Sequence, residues 1–359
     1  MNFTLLDWGI VVVFITSLGI FAWYTNRYTK SVADFLAANR CAGRYLLTIA
    51  QGTAGLAVIN VIANFEKFYH AGFAVGWWGQ MLAPIGLIMA LTGFVSYRYR
   101  QTKALTTAQF IEMRYSRKLR VFTGILAWTS GLINYGIFPA VTARFFIFFC
   151  GIPQYTTNFM GMELNLTLGI VMAVLLGIAL YFTLSGGQIA VMITDFIQGQ
   201  FMNLTFLIIM GVLLYNYDWS EIIHTLENAP KGKSMINPFD TSKVKDFNFW
   251  FFAMIGVLKI YQHKVWGGGT GYNAAAKSAH EAKMAGILSA WRAGVTYLLI
   301  MLIPICAYVL LNSSMFPAQA DAASQVLDGI THTQTLKQVR VSVVLIQMLP
   351  AGVLGLFAA

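Results

Sequence analysis

The chain is 359 residues long, 57% hydrophobic and only 11% charged, with a mean hydropathy of +0.64. A soluble globular domain carries about a quarter of its residues as charges, so that class is excluded. The formal charge of +10 does not point to nucleic acid, because the basic residues fall between apolar runs and no Arg-rich tract or binding motif collects them.

Runs of roughly 20 apolar residues are long enough to cross a hydrocarbon core of about 30 Å as helices. Barrel strands would be shorter and alternating, so the composition predicts an all-α, polytopic membrane helix bundle. Cys41, Cys150 and Cys306 are too few and too scattered for a disulfide framework or a CxxC metal site, and free thiols are expected. No cleavable signal peptide is expected, since residues 1–7 lack a basic region and the run 8–24 is long enough to stay as a span.

In chain order, the first span, 8–24, is followed by Arg27, Lys30, Arg40 and Arg44, which places that loop in the cytoplasm and the N-terminus outside. A second span covers 46–69. Its sequence QGTAGLAVINVIANFEK holds Gly52, Gly55 and Asn60, which suit an unwound turn, although glycines also permit close helix packing. Glu66 and Lys67 read as an interfacial pair at the end of the span, with the lysine snorkelling. After a turn at 70–76, a third span covers 77–97. Trp77, Trp78 and Gln80 at its start suit either a site wall or an interfacial aromatic belt.

The next loop carries Arg98, Arg100, Lys103, Arg114, Arg117, Lys118 and Arg120 against Glu112 and is cytoplasmic. Within it TTAQFIEMRY, 106–115, has a capping threonine ahead of a short amphipathic pattern, which predicts an interfacial helix. A fourth span, 121–149, contains Pro139 and should kink there. The loop 151–165, without Lys or Arg, lies outside, and a fifth span covers 166–184.

Residues 185–200, SGGQIAVMITDFIQGQ, open the sixth span, 188–215, with a glycine pair and place Asp195 inside an apolar helix. A carboxylate there is costly in lipid and should face protein or water. The plainer reading, a carboxylate that only caps or pairs near a helix start, stands beside a functional one. The polar stretch 216–246 reads as an outside loop with a short helix over 219–226, and the seventh span, 247–266, holds Lys259, Tyr261, Gln262 and His263. Beyond a glycine stop at 267–269, GYNAAAKSAHEAKMAG is cytoplasmic. An eighth span, 287–311, contains Arg292 and Pro304, a polar outside loop covers 312–337, and the last apolar segment, 339–359, ends in LPAGVLGLFAA. About nine segments are therefore expected.

The run Gly186, Gly187, Ala190, Val191, Thr194, Asp195, Gln198 resembles the signature of the sodium:solute symporter family. TTAQFIEMRY, the AAKSxxEA core within 271–286 and LPxGxxGL resemble family stretches in the same order; Gly271-Tyr272 departs from the Gln-Arg that members often carry before that core. The resemblance implies a LeuT-like fold of two inverted five-helix repeats, with broken helices that hold ions and solute near the midplane. It further implies a peripheral first helix at 8–24, a first repeat over 46–215 and an incomplete second repeat over 247–359. In the family the LPxGxxGL run opens a longer helix whose hydroxyls complete the sodium site, which implies a partial, truncated member here.

By the same resemblance, sodium would meet the backbone carbonyls of Ala57 and Asn60, and Asp195 would lie on the path by which sodium leaves. Asn64, Gln80, Lys259, Tyr261, Gln262 and Arg292 would face the solute. A buried cation suits a carboxylated solute, whereas Lys259 and Arg292 also suit snorkelling anchors. The expected activity is sodium-coupled symport of a small polar organic solute, sugar-like or carboxylate-like, across the cytoplasmic membrane by alternating access. A non-transporting solute sensor on the same bundle is the other reading. No His-x-x-x-His pair, Walker loop, Gly-x-Ser-x-Gly elbow or Cys-His cluster is present, so neither an enzyme nor a cofactor other than the coupling ion is expected. The expected partners are sodium, solute and membrane lipid, with no obligatory protein partner. The residues leave the solute, and sodium against proton coupling, open.

Overall fold

A computed structural model describes residues 3–159, 162–245, 247–262 and 267–359. The elements in order are α1 (Leu5–Thr25), α2 (Val32–Ala37), α3 (Arg44–Ala54), α4 (Val58–Met81), α5 (Ala83–Thr92), α6 (Ser96–Gln101), α7 (Thr107–Arg114) and α8 (Arg117–Cys150). A short hairpin, β1 (Thr156–Phe159) with β2 (Met162–Asn165), leads to α9 (Leu166–Asn216) and α10 (Trp219–Glu227). The remainder is α11 (Phe249–Tyr261), α12 (Thr270–Ala275), α13 (Ala279–Asn312), α14 (Pro317–Asp328), α15 (Thr333–Met348) and α16 (Val353–Ala358).

Among the described residues, Leu5–Tyr28, Val58–Gln101, Arg117–Cys150 and Leu166–Asn216 are long and apolar enough to cross a membrane. The stretch of α13 from Thr296 to Asn312 and helix α14, bent by 100° across the break at 313–316, are long and apolar enough as a pair. On α8, Phe122, Ile125, Trp128, Leu132 and Ile133 are exposed. That apolar surface suits lipid rather than water. The inner core joins α13 and α15 to α4, α8 and α10 through Phe65, Phe68, Phe149, Ile222, Ile303 and Leu345. All three cysteines are free thiols.

Local chemistry sets the breaks. α9 is 51 residues long, which at 1.5 Å per residue exceeds two membrane thicknesses, and it turns at Gly186 and Gly187. Gly187 has φ +54° and ψ −142°, and a Cβ there would sit 2.6 Å from the Phe35 carbonyl oxygen. Thr29 also donates to Gly186 O at 3.0 Å, so the α1–α2 connection docks into the bend. Gly187→Ala is expected to destabilise the protein by about 3 kcal/mol from backbone strain. Gly211→Ala on the same helix, where a Cβ meets open space, should be neutral or stabilising. Thermal unfolding of both variants in detergent checks this, and equal midpoints would refute it.

Thr106 caps α7 by accepting from Gln109 N at 3.2 Å, as the sequence predicts, and α10 falls where a short helix was expected. α8 runs through Pro139 as one helix. The expected turn at 70–76 is a break at Gly72 (φ +49°, ψ −138°) inside α4, which runs on to Met81, and three further expectations change. The stretch 312–337 is largely helical, because Pro317 opens α14 at its first turn and its alanine-rich sequence then buries Ala323 and Leu327. The last segment does not begin at 339: α15 starts at Thr333, capped by His332, and after Met348 the chain breaks before α16. The loop 151–165 contains the β1–β2 hairpin, and its last residue, Asn165, caps α9 by accepting from Leu168 N at 2.9 Å. The end of the expected seventh span, 263–266 with His263, lies outside the described residues.

Candidate functional site

The second span is broken where its glycines predict. Gly55 N donates to Gln51 O at 3.2 Å, and Leu56 N turns back to Thr53 O at 2.8 Å rather than to Gly52 O. α4 restarts with Ala57 as its cap, whose carbonyl accepts from Asn60 N at 2.8 Å and Val61 N at 3.2 Å. Polar side chains then climb one face of α4. Asn60 Nδ2 donates to Gly55 O at 2.8 Å, Asn64 Nδ2 to Asn60 O at 2.7 Å and Lys67 Nζ to Asn64 Oδ1 at 2.6 Å. Spacings of three and four residues put such groups above one another on a helix. The carbonyls of Ala57 and Asn60 thus already accept hydrogen bonds, and Asn60 serves the break through its side chain.

Beside the break lies a cavity of about 350 Å³, lined in part by Gln51, Gly52, Asn64, Ser289, Arg292 and Tyr297. Arg292 enters from α13 and is seated on glycines of two other helices. A Cβ at Gly52 would overlap its Nη1 and lie 3.5 Å from its Cζ, and a Cβ at Gly199 on α9 would lie 3.5 Å from its Nη2. Its Nη2 donates to Asn203 Oδ1 at 3.5 Å, and among the described residues its buried Nε has no partner.

Asp195 lies on α9 one turn before Gly199, where Tyr272 of α12 donates its hydroxyl to Oδ2. Tyr272 is buried. Around this contact the bundle end is tied shut. Ala42 N donates to Ala275 O at 3.0 Å and Lys277 N to Ala42 O at 2.8 Å, while Arg100 Nε donates to Ala276 O at 2.6 Å. Arg44 forks onto Glu281, with Nη2 to Oε1 at 2.5 Å, and its backbone N–H donates to Oε2 at 2.7 Å.

Those Arg44 hydrogen bonds hold the Glu281 carboxyl at about 2, well below the ordinary 4.5. A depressed carboxylate contributes its full stabilisation above the unfolded value and loses it as pH falls through the folded one. The tie is therefore expected to be complete above about pH 4.5 and to fail towards pH 2. Glu281→Gln should open this end at neutral pH, read as faster hydrogen exchange of 270–282. Unchanged exchange there would refute the tie.

The sequence-predicted residues divide. Asn64 and Arg292 line one cavity, with Ala57 and Asn60 at the break beneath it. Lys259 does not reach the cavity; its Nζ donates to Leu82 O at 3.1 Å, at the junction of α4 and α5. Gln80, Tyr261 and Gln262 are exposed and stand apart, because α4 and α11 end there with those side chains turned outward. Half-buried Trp78 packs against exposed Phe239 and Phe249 and buried Phe252, away from the cavity. Sequence reasoning missed Gln51, Ser289 and Tyr297, and it took Lys67 for an outer anchor. Its half-burial and its bond to Asn64 correct that.

The profile of the sodium:solute symporter family matches residues 35–359. The chain belongs to this family. The sodium/pantothenate symporter of Haemophilus influenzae is 22% identical over 259 residues, 69% of this chain and 50% of its own. The sodium/proline symporter of Staphylococcus aureus is 22% identical over 260 residues, 72% of this chain and 46% of its own. This family member spans about half the length of the curated relatives it matches. A solved sodium-coupled sialic acid symporter, in a substrate-bound outward-open state, superposes with a TM-score of 0.71 at 15% identity, covering 99% of this chain and 68% of that one. The symporter fold is therefore shared.

Proposed function

We propose that this protein is a sodium-coupled symporter that carries a small polar organic solute, sugar-like or carboxylate-like, across the cell membrane by alternating access. The observation that carries the reading is the break between α3 and α4, which opens onto the cavity lined by the polar side chains of Gln51, Asn64, Ser289 and Arg292 among apolar ones. A broken helix inside a bundle offers carbonyls and helix ends to an ion where lipid would forbid irregular backbone.

Sodium would bind at this break on the backbone carbonyls of Ala57 and Asn60, exchanging for the ion hydrogen bonds that these oxygens now accept, with the Asn60 side chain holding the turn. Asp195 stands on the exit route, and Tyr272 covers it while the bundle end is closed. The basic loops assign that end to the cytoplasm and the N-terminus to the outside. The first repeat spans 46–215, the second begins at 247, and α1 is peripheral. Sodium that favours the solute-binding state raises solute affinity, and solute raises sodium affinity by the same factor.

Radiolabelled sodium binding to the natural full-length protein in detergent tests the reading. Saturable binding, weakened by Asn60→Ala in protein shown to be folded, is the expected result. No saturable binding by folded protein would overturn it.

A further inference from the structure

Among the described residues, the cavity beside the break is lined by one cation, Arg292, and no carboxylate, and Lys67 lies one turn beyond its Asn64 wall. The guanidinium of Arg292 has five N–H donors, yet among the described residues it meets one amide oxygen, at 3.5 Å, and its buried Nε has no acceptor. Lys67, one turn along α4 from Asn64, directs Nζ to the neutral Asn64 Oδ1 and lies 4.7 Å from the Phe68 ring centre and 6.0 Å from that of Tyr297. Among the described residues no carboxylate lies within ion-pair distance of Arg292 or Lys67. Asp195 is held by Tyr272, and Glu66 faces Lys337 at 3.9 Å.

A half-buried charge with a buried, unpaired donor is unfavourable, so a fold that builds a seat for one is completed by a counter-charge from elsewhere. The seat is built in: Gly52 lacks the Cβ that would overlap the Arg292 guanidinium, and Gly199, whose missing Cβ makes room for Thr53 and Ile49, lets α3 approach α9 beside it. A second cavity of about 220 Å³, lined on α4 by Glu66 and His70, two and six residues beyond Asn64, also holds Lys233, Lys243, Lys245 and Lys337. Four lysines against Glu66 in a concave site concentrate anions at that mouth.

We infer that the transported solute is a small organic anion whose acid group is bound by Arg292, with Lys67 and the lysine-lined cavity drawing it inward. This rests on the symporter reading above. The planar fork of a guanidinium matches a carboxylate by paired hydrogen bonds and also fits sulfate and phosphate esters. The shared chemistry is one acid group on a molecule small enough for a cavity of about 350 Å³.

The test uses the natural full-length protein in liposomes under an inward sodium gradient, supplied with a low-molecular-mass cell extract. The extract is supplemented with glucose, glucuronate and glucose 6-sulfate, and with glycerol, glycerate and glycerol 3-phosphate. Solutes accumulated inside are identified by mass spectrometry. Accumulation confined to acids is expected, and the carboxylate, sulfate and phosphate members separate the three acid types. For the acid that accumulates, Arg292→Gln should reduce uptake on the order of 100-fold and Arg292→Lys about tenfold, with sodium binding retained. Accumulation of neutral or cationic solutes would overturn the inference and leave the symporter reading standing. Accumulation of nothing, with the protein shown folded, would overturn the symporter reading itself.

Discussion

Sodium-driven uptake is expected to fall by about 100-fold in Asp195→Asn, with the variant protein folded and inserted as before. The reasoning is electrostatic. Two opposite unit charges 4 Å apart attract by about 4 kcal/mol at an effective dielectric near 20, and an amide in place of the carboxylate forfeits that attraction for a passing cation. The fold should survive, because an asparagine of the same shape still accepts the Tyr272 hydroxyl through its carbonyl oxygen. Counterflow in liposomes, compared with net uptake, would place the defect in sodium release. Wild-type uptake by Asp195→Asn would leave Asp195 as a structural partner of Tyr272 and nothing more.

Asp7→Ala is expected to cost about 3–5 kcal/mol of stability, the largest single loss on this fold outside its core. The Asp7 carboxylate is completely buried and serves two helix starts at once. Oδ2 accepts from Thr4 N at 2.9 Å and Thr4 Oγ1 at 2.6 Å, closing a capping box at the start of α1. Oδ1 accepts from Gly352 N at 2.7 Å and Gly355 N at 2.8 Å, at the start of α16. The approach is so close that a Cβ at Gly355 would lie 2.6 Å from the Asp7 Cα. One cap is worth about 1 kcal/mol, and each buried donor left without an acceptor adds about 1–3 kcal/mol. Asp7→Asn keeps the size but turns an amide donor towards donors, so it should recover little. Thermal unfolding in detergent reads both variants; a midpoint for Asp7→Ala within experimental error of wild type would show that α16 is held by packing alone.

The elements that could be read from the sequence are those fixed within a few residues of themselves. Hydropathy and the lack of charge set the helical membrane class, and the Gly186-Gly187 pair sets a bend that only glycine conformations permit. Thr106 marks the start of α7 through its own side chain. The glycines of QGTAGLAV mark the α3–α4 break for the same local reason, and the family signature around Asp195 could be seen as a linear pattern.

Which way each side chain faces was decided only by tertiary structure. In a membrane helix that is apolar almost all round, no polar face distinguishes the interior from the lipid, so rotation about the helix axis is set by packing against neighbours. That is why Lys67 could be read as an outer anchor although it points at Asn64, and why Gln80, Tyr261 and Gln262 were expected around the solute although they face outward. It is also why Asp7 attracted no notice: its partners Gly352 and Gly355 are more than three hundred residues away in sequence. The seat of Arg292 depends on Gly52 and Asn203, drawn from two other helices, α3 and α9. A linear sequence records the cation and the glycines, but only the packed bundle brings them together.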